Sequence, residues 1–155
     1  MNKNEQIIHK FYTSFRNKDF KGMQDCYADN ATFSDPVFQN LQTAEVKSMW
    51  EMFCVKGKDL KIEFKNISAN EKTGSAEWTA FYTFSATGNT VENHIRASFT
   101  FENGKFIRHT DRFNFYKWSR QALGLTGLLL GWTPLLKNKI RKAAGKNLHQ
   151  FMNKG

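Results

Sequence analysis

Apolar and polar positions alternate through Asn93-His-Ile-Arg-Ala-Ser-Phe-Thr-Phe101 and again through Phe106-Ile-Arg-His-Thr-Asp-Arg-Phe113, with Glu102-Asn-Gly-Lys105 between them. Period-two alternation marks a strand buried on one face, and Asn-Gly between two such runs is a strong hairpin signal. Two registers are open. A two-residue Asn103-Gly104 turn pairs Phe101 with Phe106 and Arg96 with Asp111, but sets Arg108 and Arg112 on the face of Ile95, Ala97 and Phe99. A type I turn with Gly104 as left-handed bulge residue pairs Phe101 with Lys105, Phe99 with Ile107, Ala97 with His109, Ile95 with Asp111 and Asn93 with Phe113. A one-residue slip turns every side chain over, so the apolar pattern selects the bulged register, which gathers Ile95, Ala97, Phe99, Ile107 and Phe113 on one buried face. Asn93, His109 and Asp111 share that face. Buried without partners, each would cost on the order of 1–3 kcal/mol, so they either satisfy one another or line a cavity.

The rest of the pattern surrounds this hairpin. Residues Asn4 to about Asn17 predict a helix with Ile7, Ile8, Phe11, Tyr12 and Phe15 at helical spacing. Asp19 is placed to cap a short second helix carrying Met23, Cys26 and Tyr27. Asp29-Asn30 turns the chain into an extended piece, Ala31 to Phe38, in which Pro36 holds Asp35 in β or polyproline geometry. Thr43 can cap a third helix whose apolar stripe is Val46, Met49, Trp50, Phe53 and Cys54. Strands follow at Leu60-Ile62-Phe64 and Trp78-Ala80-Tyr82-Phe84, with turns at Lys72-Thr-Gly74 and Thr87-Gly88-Asn89. A two-residue Gly88-Asn89 loop sets Tyr82 opposite Ile95 and Phe84 opposite Asn93, bringing Tyr82 and Trp78 to the hairpin's concave face. Three helices followed by a long meander predict an α+β fold, a curved antiparallel sheet with helices packed on one face.

Composition refines this picture. One chain of 155 residues suits one core-forming domain, and 15 phenylalanines suit a sheet that fills a concave surface with large side chains. Two cysteines, Cys26 and Cys54, sit in helix-like patterns and read as core thiols. With a polar N-terminus and no signal-like apolar run, they favour the cytoplasm. The net charge of +9 is uneven: through Asp111 the chain carries 14 Lys/Arg against all 14 Asp/Glu, and the excess lies beyond it.

The stretches Phe11-Tyr12, Asp19, Tyr27-Ala-Asp-Asn-Ala-Thr-Phe-Ser-Asp-Pro-Val37, Met49-Trp50 and Phe101-Glu-Asn-Gly-Lys-Phe-Ile-Arg-His109 resemble, in their order, the nuclear transport factor two-like superfamily. Within it they are closest in kind to the SnoaL-like branch, with ketosteroid isomerase a more distant relative. The resemblance covers roughly residues 4–116 and implies a cone of curved sheet closed by three helices. Cavities of that fold host isomerases, dehydratases, cyclases, epoxide hydrolases and binders without catalysis, so it constrains architecture more than function. By the same resemblance Asp35 matches the isomerase base, the oxyanion tyrosine falls on Phe11 and the protonated acid on Ala97. Losing one such donor costs about 10²–10³ in rate, so steroid isomerisation by the family mechanism is not expected. Asp111 resembles the acid of SnoaL-type cyclases.

Asp35, Asp111 and His109 are therefore the catalytic candidates. Beside Phe33 and Phe38, Asp35 would have its carboxyl pushed up, although an Asp before Pro more often closes a turn. Asp111 can line the pocket or pair with Arg96, Arg108 or Arg112, and His109 can orient it. Tyr12, Tyr82 and Asn93 are candidate donors to a ligand carbonyl, and Phe33, Trp50, Trp78, Phe99 and Phe113 the pocket wall, each equally readable as packing. No zinc-ligand spacing or phosphate loop is present, so no cofactor is expected. The expected partners are a small apolar or carbonyl-bearing molecule and a second copy of the chain; nucleic acid is not expected.

Residues 1–116 are read as the cone and 117–155 as an extension. Its charge-free run Gln121–Leu136 is 16 residues with three Gly and a Pro, short of the roughly 20 that span a bilayer. Pro134 after Thr133 opens a helix to about Asn153 with Leu136, Ile140, Ala143 or Ala144, Leu148 and Phe151 against a basic face. Either the Leu/Gly segment folds over the cone or onto a dimer mate with the basic helix outside, or residues 117–155 lie on an anionic membrane surface.

Overall fold

A computed structural model describes residues 1–154 of the chain. Helix α1 (Lys3–Arg16) opens on a capping box in which Asn2 accepts from the Glu5 amide and the Glu5 carboxylate accepts from the Asn2 amide. Its stripe Ile8, Phe11, Tyr12 and Phe15 is buried. Asp19 caps α2 (Phe20–Gln24) by accepting from the Gly22 amide. The next helix, α3 (Thr43–Lys56), is capped by Gln42, whose amide donates to Glu45, rather than by Thr43. The Thr43 hydroxyl is engaged by β1 (Tyr27–Ser34), accepting from the Ala31 amide at 2.7 Å. There the pairing of β1 shifts register between Tyr27 and Thr32, and Thr43 satisfies an amide within that irregular stretch.

The remaining strands are β2 (Leu41–Gln42), β3 (Lys61–Ala69), β4 (Thr73–Phe84), β5 (Asn89–Glu102) and β6 (Lys105–Arg112). They form one six-stranded sheet in the order β2-β1-β6-β5-β4-β3. The expected all-antiparallel sheet is corrected at one seam: β1 and β6 run parallel, while the other pairs are antiparallel. No short turn joins β1 to β6, so hairpin geometry does not dictate their direction.

Both predicted registers are corrected, and apart from Ile107 the residues expected on the inward face stay on it. At the β5–β6 turn Asn103 and Gly104 both have positive φ (51° and 73°), and Phe101 faces Phe106, as in the two-residue turn. The register then shifts by one, so that Thr100 faces Arg108, Phe99 faces His109 and Ala97 faces Asp111. Relative to the expected bulged pairing this is a slip of two, and an even slip preserves which side chains point inward. Asn93, Ile95, Ala97, Phe99, His109 and Asp111 are all buried, while Phe106 takes the inner place expected of Ile107. Between β4 and β5 the loop is longer than two residues. Tyr82 therefore faces Val91, Trp78 faces Ile95, and Ala80 faces Asn93. The β3–β4 turn lies at Asn70–Lys72, where the Asn70 side chain accepts from the Lys72 and Thr73 amides.

The C-terminal segment completes the molecule. Helix α4 (Phe115–Leu123) starts from the Asn114 cap and packs against β5. Phe115, Trp118 and Ala122 form a second cluster with Val91, against which Tyr82, Phe84, Phe113 and Ile140 pack. After α5 (Leu125–Leu130), Thr133 caps α6 (Pro134–Asn153). Helix α6 returns onto α3, and Leu148 joins the main core with Ala144, Phe151 and Met152 against it. The basic helix thus supplies the buried contacts, and the leucines of α5 do not. Among the described residues no helix is long and apolar enough to cross a membrane.

Candidate functional site

The buried polar groups of the hairpin form a hydrogen-bonded chain that runs across three elements. From α3, the Trp50 indole N–H donates to the Tyr27 hydroxyl at 2.8 Å. Tyr27, at the start of β1, lies 2.7 Å from His109 Nδ1 on β6, and His109 Nε2 lies 2.9 Å from Asp111 Oδ1. With the Asp111 carboxylate accepting from Nε2–H of a neutral imidazole, Nδ1 is left as the acceptor and takes the Tyr27 O–H, while the Tyr27 oxygen accepts from Trp50. All three hydrogens point towards the carboxylate. His109 is 0 % exposed and the Asp111 side chain 3 %. The imidazole is walled in by Phe33 at 5.0 Å, Phe99 at 4.3 Å, Phe11 at 5.6 Å and Trp50 at 6.1 Å between ring centroids.

The sequence singled out His109 and Asp111, and the fold joins them. Tyr27 was not anticipated as a site residue, since its pattern placed it on the second helix. Only the parallel seam between β1 and β6 sets it beside His109, and parallel pairing leaves no local signal in a sequence. Tyr27→Phe is expected to lower stability by about 1–3 kcal/mol, because it leaves both the Trp50 donor and the His109 acceptor unpaired in the core. Urea denaturation followed by tryptophan fluorescence reads this directly.

Two other donors are buried without partners. The Tyr12 hydroxyl and the Trp78 indole N–H make no hydrogen bond among the described residues, and their rings lie 6.0 Å apart. Burial pushes the Tyr12 hydroxyl well above its ordinary pKa, and the charge of Asp111 pushes it further, which places that hydroxyl within the field of the carboxylate. The resemblance put the family tyrosine at Phe11, yet Phe11 and Tyr12 are both fully buried, with rings 5.0 Å apart. The interior therefore holds a tyrosine hydroxyl after all, one position further along α1. The family's second acid fell on Ala97, and Ala97 faces Asp111 directly across the strand pair.

Asp35 combines both of its readings. Its Oδ1 accepts from the Val37 and Phe38 amides at 2.7 and 2.6 Å, closing the turn around Pro36. Burial nevertheless pushes its carboxyl up to about 7, against the pull of those amides; Asp111 raises it further and Arg141 of α6 lowers it. Arg141 donates to the Pro36 carbonyl at 2.9 Å, so α6 reaches over this loop. Nearby, Trp118 of α4 donates to the Tyr82 hydroxyl at 2.7 Å. Burial raises the pKa of Tyr82 despite that bond, and the charge of Asp35 adds to the rise. Asn93 is buried on β5, opposite Ala80.

Tyr12, Trp50 and Trp78 belong to the main core, where His109 and Asp111 are also buried, whereas Tyr82 and Phe113 also pack against the α4 cluster and Arg141 of α6 reaches the loop of Asp35. Phe33, Trp50 and Phe99, expected on a cavity wall, close around the imidazole. A surface groove of about 450 Å³ lies beside the β5–β6 turn, lined by Asp25, Asp29, Lys47 and Lys105 among others, and reaches neither Asp35 nor Asp111.

The chain has relatives of known fold. It covers 83 % of its length on 96 % of an LEH-like epoxide hydrolase from M. tuberculosis, at 17 % identity and a TM-score of 0.63. It covers 78 % of its length on 98 % of TsrD from Streptomyces laurentii, at 15 % identity and a TM-score of 0.66. TerC, co-crystallised with polyporic acid, matches over 73 % of this chain and 92 % of its own, at 19 % identity and a TM-score of 0.61. No curated protein sequence matches the chain. At these identities the shared property is the nuclear transport factor two-like fold. The model of the SnoaL-like domain matches residues 8–109, from the buried start of α1 to the histidine that holds Asp111, and to that family the chain belongs.

Proposed function

We propose that the cone binds a small apolar molecule bearing a carbonyl, whose oxygen takes the Tyr12 hydroxyl and the Trp78 indole N–H as donors. The observation that carries this reading is the pair of buried, unpartnered donors, the Tyr12 hydroxyl in the field of the Asp111 carboxylate and the Trp78 indole N–H, whose ring lies 6.0 Å from that of Tyr12. Buried polar groups without partners are rare, and each calls for a physical reason. In the reaction that this arrangement favours, Asp111 removes a proton from the carbon next to the carbonyl. The electron pair moves onto the carbonyl oxygen, where Tyr12 and Trp78 stabilise the developing charge. Asp35, titrating near neutrality, is the second proton carrier. Isomerase, cyclase and dehydratase chemistry all begin with such a step and need no cofactor for it. The fold shared with an epoxide hydrolase and with a protein co-crystallised with polyporic acid supports a small organic ligand in the cone. A second reading, binding without turnover, is favoured by the rings that close on His109 and by α4 packing on β5, where Trp118 engages the Tyr82 hydroxyl.

Tyr12→Phe separates a ligand donor from a packing residue. The variant keeps the ring and removes an unpaired hydroxyl, so the ligand-free protein is expected to gain about 1 kcal/mol while a bicyclic ketone probe such as α-tetralone binds at least about tenfold more weakly. Loss of stability with unchanged ketone binding would make Tyr12 structural. Deuterium exchange at the ketone's α carbon, followed by NMR in heavy water, then separates the two readings. Catalysed exchange that disappears in Asp111→Asn supports the enzyme; binding with no exchange selects the binder.

A further inference from the structure

The hairpin of α4 and α5 is built inside out. Gly127 and Gly131 face α4 so closely that a Cβ at 127 would overlap the Ser119 carbonyl, and one at 131 would stand 2.9 Å from Ser119 Cβ. Tyr116 locks the pair by donating to the Leu128 carbonyl at 2.8 Å. With glycine on the inner face, the large side chains of α5 are turned outward. Leu125, Leu128, Leu129 and Leu130 are exposed, followed by Trp132 at 73 % and Leu135 at 82 %. Soluble surfaces seldom gather so many large apolar side chains in one short stretch unless something covers them.

Charge indicates the cover. From Arg112 to the end the chain carries nine Lys/Arg and no Asp or Glu. On α6, Leu135, Lys139, Lys142 and Lys146 fall within roughly 60° of one another at about 100° per residue, and all four are exposed. The inward series Leu136, Ile140, Ala144, Leu148 and Phe151, with Leu136 and Leu148 buried and the others partly so, lies on the opposite side, Ile140 against the α4 cluster and Ala144, Leu148 and Phe151 in or against the main core. The lysine stripe therefore continues from the exposed leucine at the end of the apolar stretch. A second copy meeting this face would bring like charges together. An apolar tip beside a row of lysines, with a tryptophan at the boundary, has the chemistry of a surface that rests in the headgroup layer of an anionic bilayer.

We propose that residues 125–135, with Lys139, Lys142 and Lys146, dock the folded protein onto an anionic membrane surface. The expectation that all of residues 117–155 would lie on the membrane is narrowed: the inner face of α6 and most of α4 remain packed on the cone, and only α5, Trp132, Leu135 and the lysine stripe meet the lipid.

The test uses the full chain with vesicles of phosphatidylcholine containing phosphatidylglycerol, and with vesicles of phosphatidylcholine alone. Trp132 is the exposed tryptophan, since Trp50, Trp78 and Trp118 are buried, so its emission should shift to the blue on the anionic vesicles only. Co-sedimentation should weaken at high salt. It should fall about tenfold or more in Leu129→Ser/Trp132→Ser and in Lys139→Glu/Lys142→Glu, whose melting temperatures should match the wild type because these side chains are exposed. No sedimentation with anionic vesicles overturns the proposal, as does equal sedimentation with neutral ones or wild-type binding by either double variant. Self-association that Leu129→Ser/Trp132→Ser abolishes, without vesicle binding, overturns it in favour of a second copy.

Discussion

His109→Leu is expected to cost the fold about 3 kcal/mol or more, because it leaves the buried Asp111 carboxylate without its hydrogen-bond donor. The leucine fills much of the imidazole's space among Phe11, Phe33, Phe99 and Trp50, so loss of packing is the smaller part of the effect. The larger part is what the substitution strands. Asp111 loses the donor at 2.9 Å while remaining buried, and the Tyr27 O–H loses its acceptor at 2.7 Å. His109→Gln, which can still accept with one amide atom and donate with the other, should recover part of the loss. In His109→Leu/Asp111→Leu no charge is left without a partner, so the double variant should be more stable than His109→Leu alone, a coupling that a double-mutant cycle in urea measures. If His109→Leu costs less than about 1 kcal/mol, Asp111 is adequately solvated without the histidine and the deep site is not a dry one.

The contrast between Tyr27 and Tyr12 shows what the sequence could and could not carry. Period-two alternation was enough to put Asn93, His109 and Asp111 on one buried face. It holds through two mistaken registers, because slips of two and of four residues keep the side of each residue beyond the bulge, and only Ile107 yields its inward place, to Phe106. Pairing itself was not legible. Which residues face each other depends on a bulge near Ile107 and a longer β4–β5 loop. The parallel seam that brings Tyr27 to His109 depends on contacts far apart in the chain. Thr43 had the right residue type for a cap, but its hydroxyl went to β1, where an amide needed it more than the helix did. Of the readings open for the tail, the Leu/Gly segment folded over the cone is the one that does not hold: Gly127 and Gly131 allow α5 to approach α4 so closely that its leucines face outward.

Asp35→Asn is expected to stabilise the protein increasingly as pH rises from about 4 to about 8. The folded carboxyl titrates at about 7, above its ordinary value of 3.8, because burial disfavours the charged form. Between those values the native state holds a proton that the unfolded chain has released, so wild-type stability falls as pH rises through this window and levels off above it. A carboxyl at about 7 in place of 3.8 corresponds to at most about 4 kcal/mol. Asparagine cannot ionise, and its Oδ1 can still accept from the Val37 and Phe38 amides, so the turn around Pro36 survives. The variant should therefore match the wild type near pH 4 and exceed it by about 2–4 kcal/mol at pH 8. Other acids titrate alike in both proteins, so the difference between the two stability curves isolates this carboxyl. A gap that stays constant from pH 4 to about 8 would mean that Asp35 ionises as it does in water. Its turn would then account for the residue, and proton transfer in the cone would rest on Asp111 alone.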